Sequence, residues 1–149
     1  MEEKQKVFPA SPAVTRKIET IFANLVQQGL AEYTTSKDIK FCSPTFVRFK
    51  SPDGLARLNA NPNANVPICL VSNYVDLNKH LRTPTTTLPG IKEKVGEIAQ
   101  FDYVFASDHQ MAYQQYTLTP ESTDWVAISS PNNTKIKMLI LLEGHAPPD

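Results

Sequence analysis

The carboxylates and the imidazole of the C-terminal half are the first residues that could do chemistry. Asp102 interrupts an otherwise apolar stretch, residues 98–106, and a carboxylate beside an apolar cavity can serve as a general base. The alternative for Asp102 is a position on the solvent-facing side of the same stretch. Asp108 and His109 are an adjacent acid and imidazole, but they fall in a predicted turn, where aspartate is favoured by hydrogen bonds to the local backbone. Asp102 is therefore the candidate base.

Motifs for metal, nucleophilic or cofactor chemistry are not found in the sequence. His80, His109 and His145 are far apart, and none has a cysteine or a second histidine at ligand spacing. Cys42 and Cys69 each lie in an apolar run, which favours buried thiols over a reactive or bridged pair. The five glycines are not clustered, so no glycine-rich loop is available to hold a phosphate. We therefore expect neither a metal nor a cofactor.

Charge and composition restrict the expected partners. The 149 residues include 15 basic and 15 acidic side chains, so the formal net charge is +0, and no run of Lys or Arg is present. This balance argues against bulk electrostatic binding to nucleic acid or to an anionic membrane. The longest apolar run covers residues 138–142, far short of the ~20 residues that span a bilayer, and the N-terminus lacks a signal-peptide pattern. We expect a cytoplasmic protein that binds neither nucleic acid nor membrane.

The elements that must position these residues begin with a helix. Residues 1–10 are predicted to form a flexible arm, residues 11–145 a single domain, and residues 146–149 a tail. Ser11 is a good N-cap, and Pro12 at the first helical position costs no hydrogen bond. Apolar residues then recur at spacings of three and four, which predicts one buried helix face, and Gly29 either ends this helix or only weakens it.

The remaining elements are assigned from periodicity and turn residues. They are a short helical turn at residues 36–41, a hairpin of residues 44–49 and 55–58 around a turn at 51–54, and a second helix at residues 65–81. Residues 91–97 are left open between a strand extension and a helical turn. Four strands at residues 98–106, 110–119, 124–130 and 134–142 complete an antiparallel meander. The residues expected in the core are Val14, Ile18, Leu25, Val71, Val75, Ile140 and Leu142.

This order of elements resembles the nuclear transport factor 2-like superfamily, which includes SnoaL-like polyketide cyclases, ketosteroid isomerases and scytalone dehydratases. The resemblance covers about residues 12–145, and its most specific stretch is FDYVFASDHQMAYQQYTLT at residues 101–119. It implies an α+β cone of the cystatin-like kind, in which N-terminal helices cover the concave face of a curved antiparallel sheet. A ligand pocket would then lie between the helices and the sheet.

The resemblance also implies a site inside that pocket. Asp102 as base and Tyr113 as hydrogen-bond donor would form the catalytic pair, although Tyr113 as a core filler is the alternative. Trp125 would stack on the substrate, and the alternative for it is an anchor in the core or in an interface. The residues expected to contact the ligand are Tyr74, Met111, Gln115, Trp125 and Met138.

Two functions follow from this interpretation. The first is a protein that binds a small apolar or amphipathic molecule, with or without acid–base chemistry of the isomerase, cyclase or dehydratase kind; whether it is an enzyme stays open. The second is a non-catalytic dimeric module that interacts with other proteins. A homodimer is expected in either case, through an outer sheet face that includes Phe101, Tyr103, Tyr116, Val126 and Ile128.

Overall fold

A computed structural model describes residues 8–82, 87–110 and 112–141 of the chain. These residues form an α+β fold, as expected. The helices are α1 (Pro12–Gln27), α2 (Gly54–Ala60), α3 (Val75–Asn78), α4 (Ile91–Ile98) and α5 (Pro120–Thr123), with a 3₁₀ helix at Ala112–Gln115. The strands are β1 (Ala31–Thr34), β2 (Cys42–Phe49), β3 (Ile68–Ser72), β4 (Ala127–Ser129) and β5 (Lys135–Met138).

The five strands form one mixed sheet in the order β1-β5-β4-β2-β3. Neighbouring strands are antiparallel except β2 and β4, which run parallel with Cys42 opposite Ala127. The predicted all-antiparallel meander is therefore wrong, because β4 pairs with β2 and not with a strand that directly precedes it. The cone arrangement is not confirmed.

Helix α1 begins as the sequence predicts, and of the two outcomes left open for Gly29 the structure shows the helix end. The Ser11 hydroxyl accepts a hydrogen bond from the Val14 N–H at 3.3 Å, and Pro12 is the first helical residue. Gly29 has a φ of 73°, a left-handed conformation in which glycine avoids Cβ strain. The Gly29 N–H donates to the Val26 carbonyl and the Leu30 N–H to the Leu25 carbonyl, both at 3.0 Å, which is the Schellman arrangement.

The core lies between α1 and the sheet and extends to α2 and α3. Ile18, Phe22, Leu58, Leu77 and Ile128 are fully buried in it. The predicted core positions Val14, Ile18 and Ile140 are confirmed, whereas Leu25 and Val71 are half-buried. Val75 was expected in the core but is 60% exposed, because it begins the short α3 and does not lie inside a long buried helix. Leu142 lies outside the described residues.

The return strand predicted at residues 55–58 is wrong, because this segment forms α2. Leu58 still contributes to the core, with its side chain fully buried. Gly54 begins the helix directly against Phe49: a Cβ at position 54 would lie 2.7 Å from Cδ1 of that ring. The close approach requires glycine there. The helical turn predicted at residues 36–41 is also wrong; a hydrogen-bonded turn replaces it, with the Asp38 N–H bonded to the Thr35 carbonyl at 3.1 Å.

The second long helix predicted at residues 65–81 is replaced by β3 and the four-residue α3. In β3, Ile68 and Leu70 pack on the core, and Cys69 between them is exposed. A short apolar run fits a strand as well as a buried helix, and its period alone does not separate the two. Pairing with β2 decides the outcome, since Phe46 lies opposite Val71 and Arg48 opposite Cys69.

The strands predicted at residues 98–106 and 110–119 are wrong. Residues 99–110 have no regular structure, and the 3₁₀ helix follows. Thr117 makes one isolated antiparallel bridge to Ile140. The segment left open at residues 91–97 is helical, within α4. The last two predicted strands are confirmed as β4 and β5, and Ile136, Met138 and Ile140 point into the core as their spacing predicts.

Candidate functional site

The residues expected to line one pocket are divided between the core and the surface. Tyr74 and Met138 are buried, whereas Tyr113 and Gln115 are exposed on the 3₁₀ helix. The Gln115 side chain donates to the Gln110 carbonyl at 2.9 Å. Met111 lies outside the described residues. The structure therefore brings Tyr74 and Met138 into the core and leaves the other two side chains in solvent.

Among the described titratable groups, Tyr74 has the pKa that differs most clearly from its usual value. Its side chain is buried beside α3, and burial raises the pKa of the Tyr74 hydroxyl far above its usual value. A hydrogen bond with Ser72 acts in the opposite direction but does not cancel the effect. Tyr74 is therefore a neutral core hydroxyl at physiological pH.

The candidate acids and bases are exposed. Asp102, Asp108 and His109 all lie in the irregular segment between α4 and the 3₁₀ helix, and each is exposed. In the described part of the chain, no three His, Cys, Asp or Glu side chains lie close enough to bind a metal ion together. Trp125 is partly exposed just before β4, with the Lys40 ammonium 5.4 Å from the centre of its ring, a cation–π contact.

A surface pocket of about 370 Å³ lies beside the edge strand β1. It is lined by Glu32, Tyr33, Thr34, Thr35, Asp38 and Lys137. Lys137 forms an ion pair with Asp124 at 3.3 Å. None of the residues expected to bind a ligand lines this pocket.

The outward side of the β2–β3 pair combines aromatic and basic side chains. We call this surface the ribbon face and define it as Phe46, Arg48, Lys50, Cys69 and Val71. Alternate residues of a strand point to opposite sides, and the intervening Val47, Phe49, Ile68 and Leu70 pack on the core. Phe46, Arg48, Lys50 and Cys69 are exposed, and Val71 is half-buried.

Local pairing holds the ribbon face in place. Five residue pairs join β2 and β3, from Thr45 opposite Ser72 to Phe49 opposite Ile68. The Lys50 N–H continues the pairing by donating to the Pro67 carbonyl at 3.2 Å. Phe46 remains 38% exposed even though the Phe8 ring packs edge-on against it, at 5.1 Å between centroids.

The charge of the ribbon face is positive. Arg48 and Lys50 project from it, and neither β2 nor β3 contains an aspartate or glutamate. Arg48 and Lys50 do not belong to a contiguous Lys/Arg run, so the sequence analysis did not identify them. The signal was the alternation of Phe46, Arg48 and Lys50 along a strand that was correctly predicted.

The surface expected to form a homodimer is divided in a similar way. Phe101, Tyr103 and Tyr116 are exposed, but they do not lie on an outer sheet face, because the strands predicted for them do not form. Val126 and Ile128 are buried within the chain, because β4 is a central strand of the sheet. The expectation that these two residues face outward is therefore wrong.

Comparison with known proteins shows a likeness of fold to solved structures. No family model matches the sequence, and no curated protein matches it. Among solved structures, the chain resembles the prototype foamy virus protease-reverse transcriptase, with a TM-score of 0.61 and 16% sequence identity. The likeness covers 95% of this chain and 17% of that chain. The two proteins thus share a fold over almost all of the present sequence, which spans only a small part of the viral protein.

Among the described residues, no helix has the length and apolar character that a membrane span requires.

Proposed function

We propose that this chain is a nucleic-acid-contacting part of a polymerase of the reverse transcriptase type. The observation that carries the proposal is the likeness of fold to the foamy virus protease-reverse transcriptase over 95% of the chain. The name of that protein includes a reverse transcriptase, an enzyme that acts on nucleic acid.

The ribbon face supplies the chemistry for such a contact. Proteins that bind single strands combine basic side chains that follow the phosphates with aromatic rings on which bases stack. Arg48 and Lys50 provide two cations on one side of a rigid pair of strands, and Phe46 lies two residues away from Arg48 on the same side. No carboxylate from β2 or β3 opposes the phosphates. The whole-chain charge balance led us to expect no nucleic-acid partner, whereas the local distribution favours one.

The proposal assigns binding, and not nucleotide transfer, to this chain. Polymerases position the reacting phosphate with divalent metal ions held by carboxylates. Asp102 and Asp108 are exposed, and among the described residues no three His, Cys, Asp or Glu side chains lie close enough to hold a metal ion together. The chain matches 17% of the viral protein, so the proposal is limited to a contact with nucleic acid.

Equilibrium binding to a labelled oligothymidine strand tests the proposal. We expect the wild-type chain to bind and the double variant Arg48→Gln/Lys50→Gln to bind at least tenfold more weakly. The matched control is Arg16→Gln/Lys37→Gln, which removes the same two charge types from exposed positions on α1 and the loop after β1. Absence of binding by the wild type, or equal losses in the two double variants, would contradict the proposed site.

The small-molecule function expected from the sequence stays a prediction, as do the cytoplasmic location and the homodimer through the sheet. We rank that function second because Tyr113 and Gln115 are exposed while Tyr74 and Met138 are buried. A ligand in contact with all four would require a rearrangement of the 3₁₀ helix.

A further inference from the structure

Helix α4 and the chain that follows it expose an unusual amount of apolar surface. No residue of α4 is buried. Ile91, Val95 and Ile98 are 83%, 59% and 50% exposed, and they lie at helical spacings of four and three, so they form one stripe. The stripe leads into an irregular segment whose large side chains are also exposed. These are Phe101, Tyr103, Val104 and Phe105.

The three exposed rings of this segment already match the largest apolar patch of a typical monomer in area. Tyr103 and Phe105 are 94% and 91% exposed, and Phe101 is 70% exposed. With about 200 Å² for each ring, these three side chains alone present roughly 500 Å². The largest apolar patch of a typical monomer is about 300–600 Å² in total. Together with the α4 stripe, the segment approaches the ~800 Å² that each partner contributes to a standard protein interface.

The charges on α4 are complementary to those of a second copy of the same helix. The helix carries Lys92, Lys94, Glu93 and Glu97, two of each sign, so it has no net charge to repel a copy. Lys94 and Glu97 lie three residues apart on one flank of the stripe and form an ion pair at 2.7 Å. When two such helices pack antiparallel through their stripes, the same flanks meet, and Lys94 of each copy lies next to Glu97 of the other.

We propose that the chain self-associates through α4 and residues 99–105, as a two-fold symmetric dimer in which the two α4 helices run antiparallel. The stripe of Ile91, Val95 and Ile98 forms the centre of the interface, and the Lys94–Glu97 pairs form its rim. This surface differs from the outer sheet face considered from the sequence. The inference does not depend on the proposed nucleic-acid function.

Sedimentation equilibrium of the full chain tests the proposal. We expect the wild type to approach twice its 16.6 kDa chain mass with increasing concentration. Val95→Gln should raise the dimer dissociation constant at least tenfold. Val75→Gln is the matched control, because Val75 is a helical valine with 60% exposure outside this surface. Circular dichroism of each variant checks that the fold is retained.

A mixing experiment tests the antiparallel arrangement. Lys94→Glu and Glu97→Lys chains should each self-associate less than the wild type, because like charges then meet on one flank. An equimolar mixture should regain association, because each chain then supplies the charge that the other requires.

Three results would overturn the proposal. A monomeric wild type would show that a second copy does not cover this surface, and its partner would then be a different polypeptide. Equal effects of Val95→Gln and Val75→Gln would place the interface elsewhere. Failure of the mixture to exceed either variant alone would exclude the antiparallel pairing.

Discussion

The salt dependence of nucleic-acid binding gives a quantitative test of the ribbon face. Each phosphate that a protein cation neutralises on a single strand contributes about −0.7 to the slope of log affinity against log salt concentration. Arg48 and Lys50 are the two exposed cations of the face. If both contact phosphates, they contribute about −1.4 to the slope. A fourfold rise in salt should then weaken their share of the binding about sevenfold.

Removing both cations should remove this share. We expect the slope for Arg48→Gln/Lys50→Gln to be shallower than the wild-type slope by about 1.4, with intermediate values of about 0.7 for each single variant. Fluorescence anisotropy of a labelled oligothymidine strand, titrated at four or more salt concentrations, measures the slopes. The control Arg16→Gln/Lys37→Gln has the same net charge as the double variant and should keep the wild-type slope.

One result would refute the reasoning even if the chain binds nucleic acid. If the double variant binds more weakly but keeps the wild-type slope, Arg48 and Lys50 do not contact phosphates. The loss would then come from a change in the β2–β3 pair. A slope that falls equally in the double variant and in the control would indicate a response to net charge, with no defined face.

Three further outcomes are expected. Phe46→Ala should weaken oligonucleotide binding by a factor that stays constant as salt rises, because base stacking is not an ionic contact; a loss that disappears at high salt would contradict stacking. In urea unfolding, Leu58→Ala should cost about 2–5 kcal/mol, because its side chain is fully buried. Leu55→Ala, at an exposed position of the same helix, should cost less than about 0.5 kcal/mol, and equal costs would contradict the assigned faces of α2. Unfolding free energy measured against pH should fall above pH ~10, by about 1.4 kcal/mol per pH unit, because the unfolded chain releases the Tyr74 proton while the folded chain retains it. Tyr74→Phe should remove this slope and Tyr113→Phe should retain it; a slope that persists in Tyr74→Phe would assign it to other groups.

Elements whose signals are local were predicted correctly. Helix α1 carries its start in Ser11 and Pro12 and its end in Gly29, so each boundary depends on residues within one turn of it. The strands β2, β4 and β5 were also placed, with bounds that are too short for β2 and too long for β4 and β5, because β-rich runs between turn clusters specify a strand without reference to a partner.

Where the residue pattern of a segment fits both a helix and a strand, contacts with residues distant in sequence determine which one forms. The run at residues 68–71 satisfies both a helical stripe and a strand, and pairing with β2 selects the strand. Residues 98–106 are rich in strand formers, yet none of the described strands pairs with them; Ile98 ends α4 and residues 99–106 are irregular. β-Propensity reflects the fit of a side chain to a paired and partly buried surface, and this segment has no such surface within the described chain.

The candidate site could be predicted only in part for the same reason. The alternation of residues along β2 shows which side chains share a face, so the sequence alone could have placed Phe46 and Arg48 on the same side. Their combination with Cys69 and Val71 depends on the β2–β3 register, which connects segments separated by α2. The expected pocket of Tyr74, Tyr113 and Met138 assumed a helix at residues 65–81 and a strand at residues 110–119, and neither element forms.

The chain has zero net charge, but its two proposed binding surfaces differ in their local charge. The ribbon face carries Arg48 and Lys50 without an acidic residue in β2 or β3, so the partner proposed for it is one of opposite sign, a phosphate backbone. Helix α4 carries equal numbers of lysines and glutamates around an apolar stripe, so its charges can be satisfied by a copy of itself. Salt separates the two interactions physically. Added ions compete directly for phosphate contacts, whereas they screen only the rim of an apolar interface and leave the burial of Ile91, Val95 and Ile98 favourable. Nucleic-acid binding should therefore weaken steeply over a range of salt concentration in which self-association changes little.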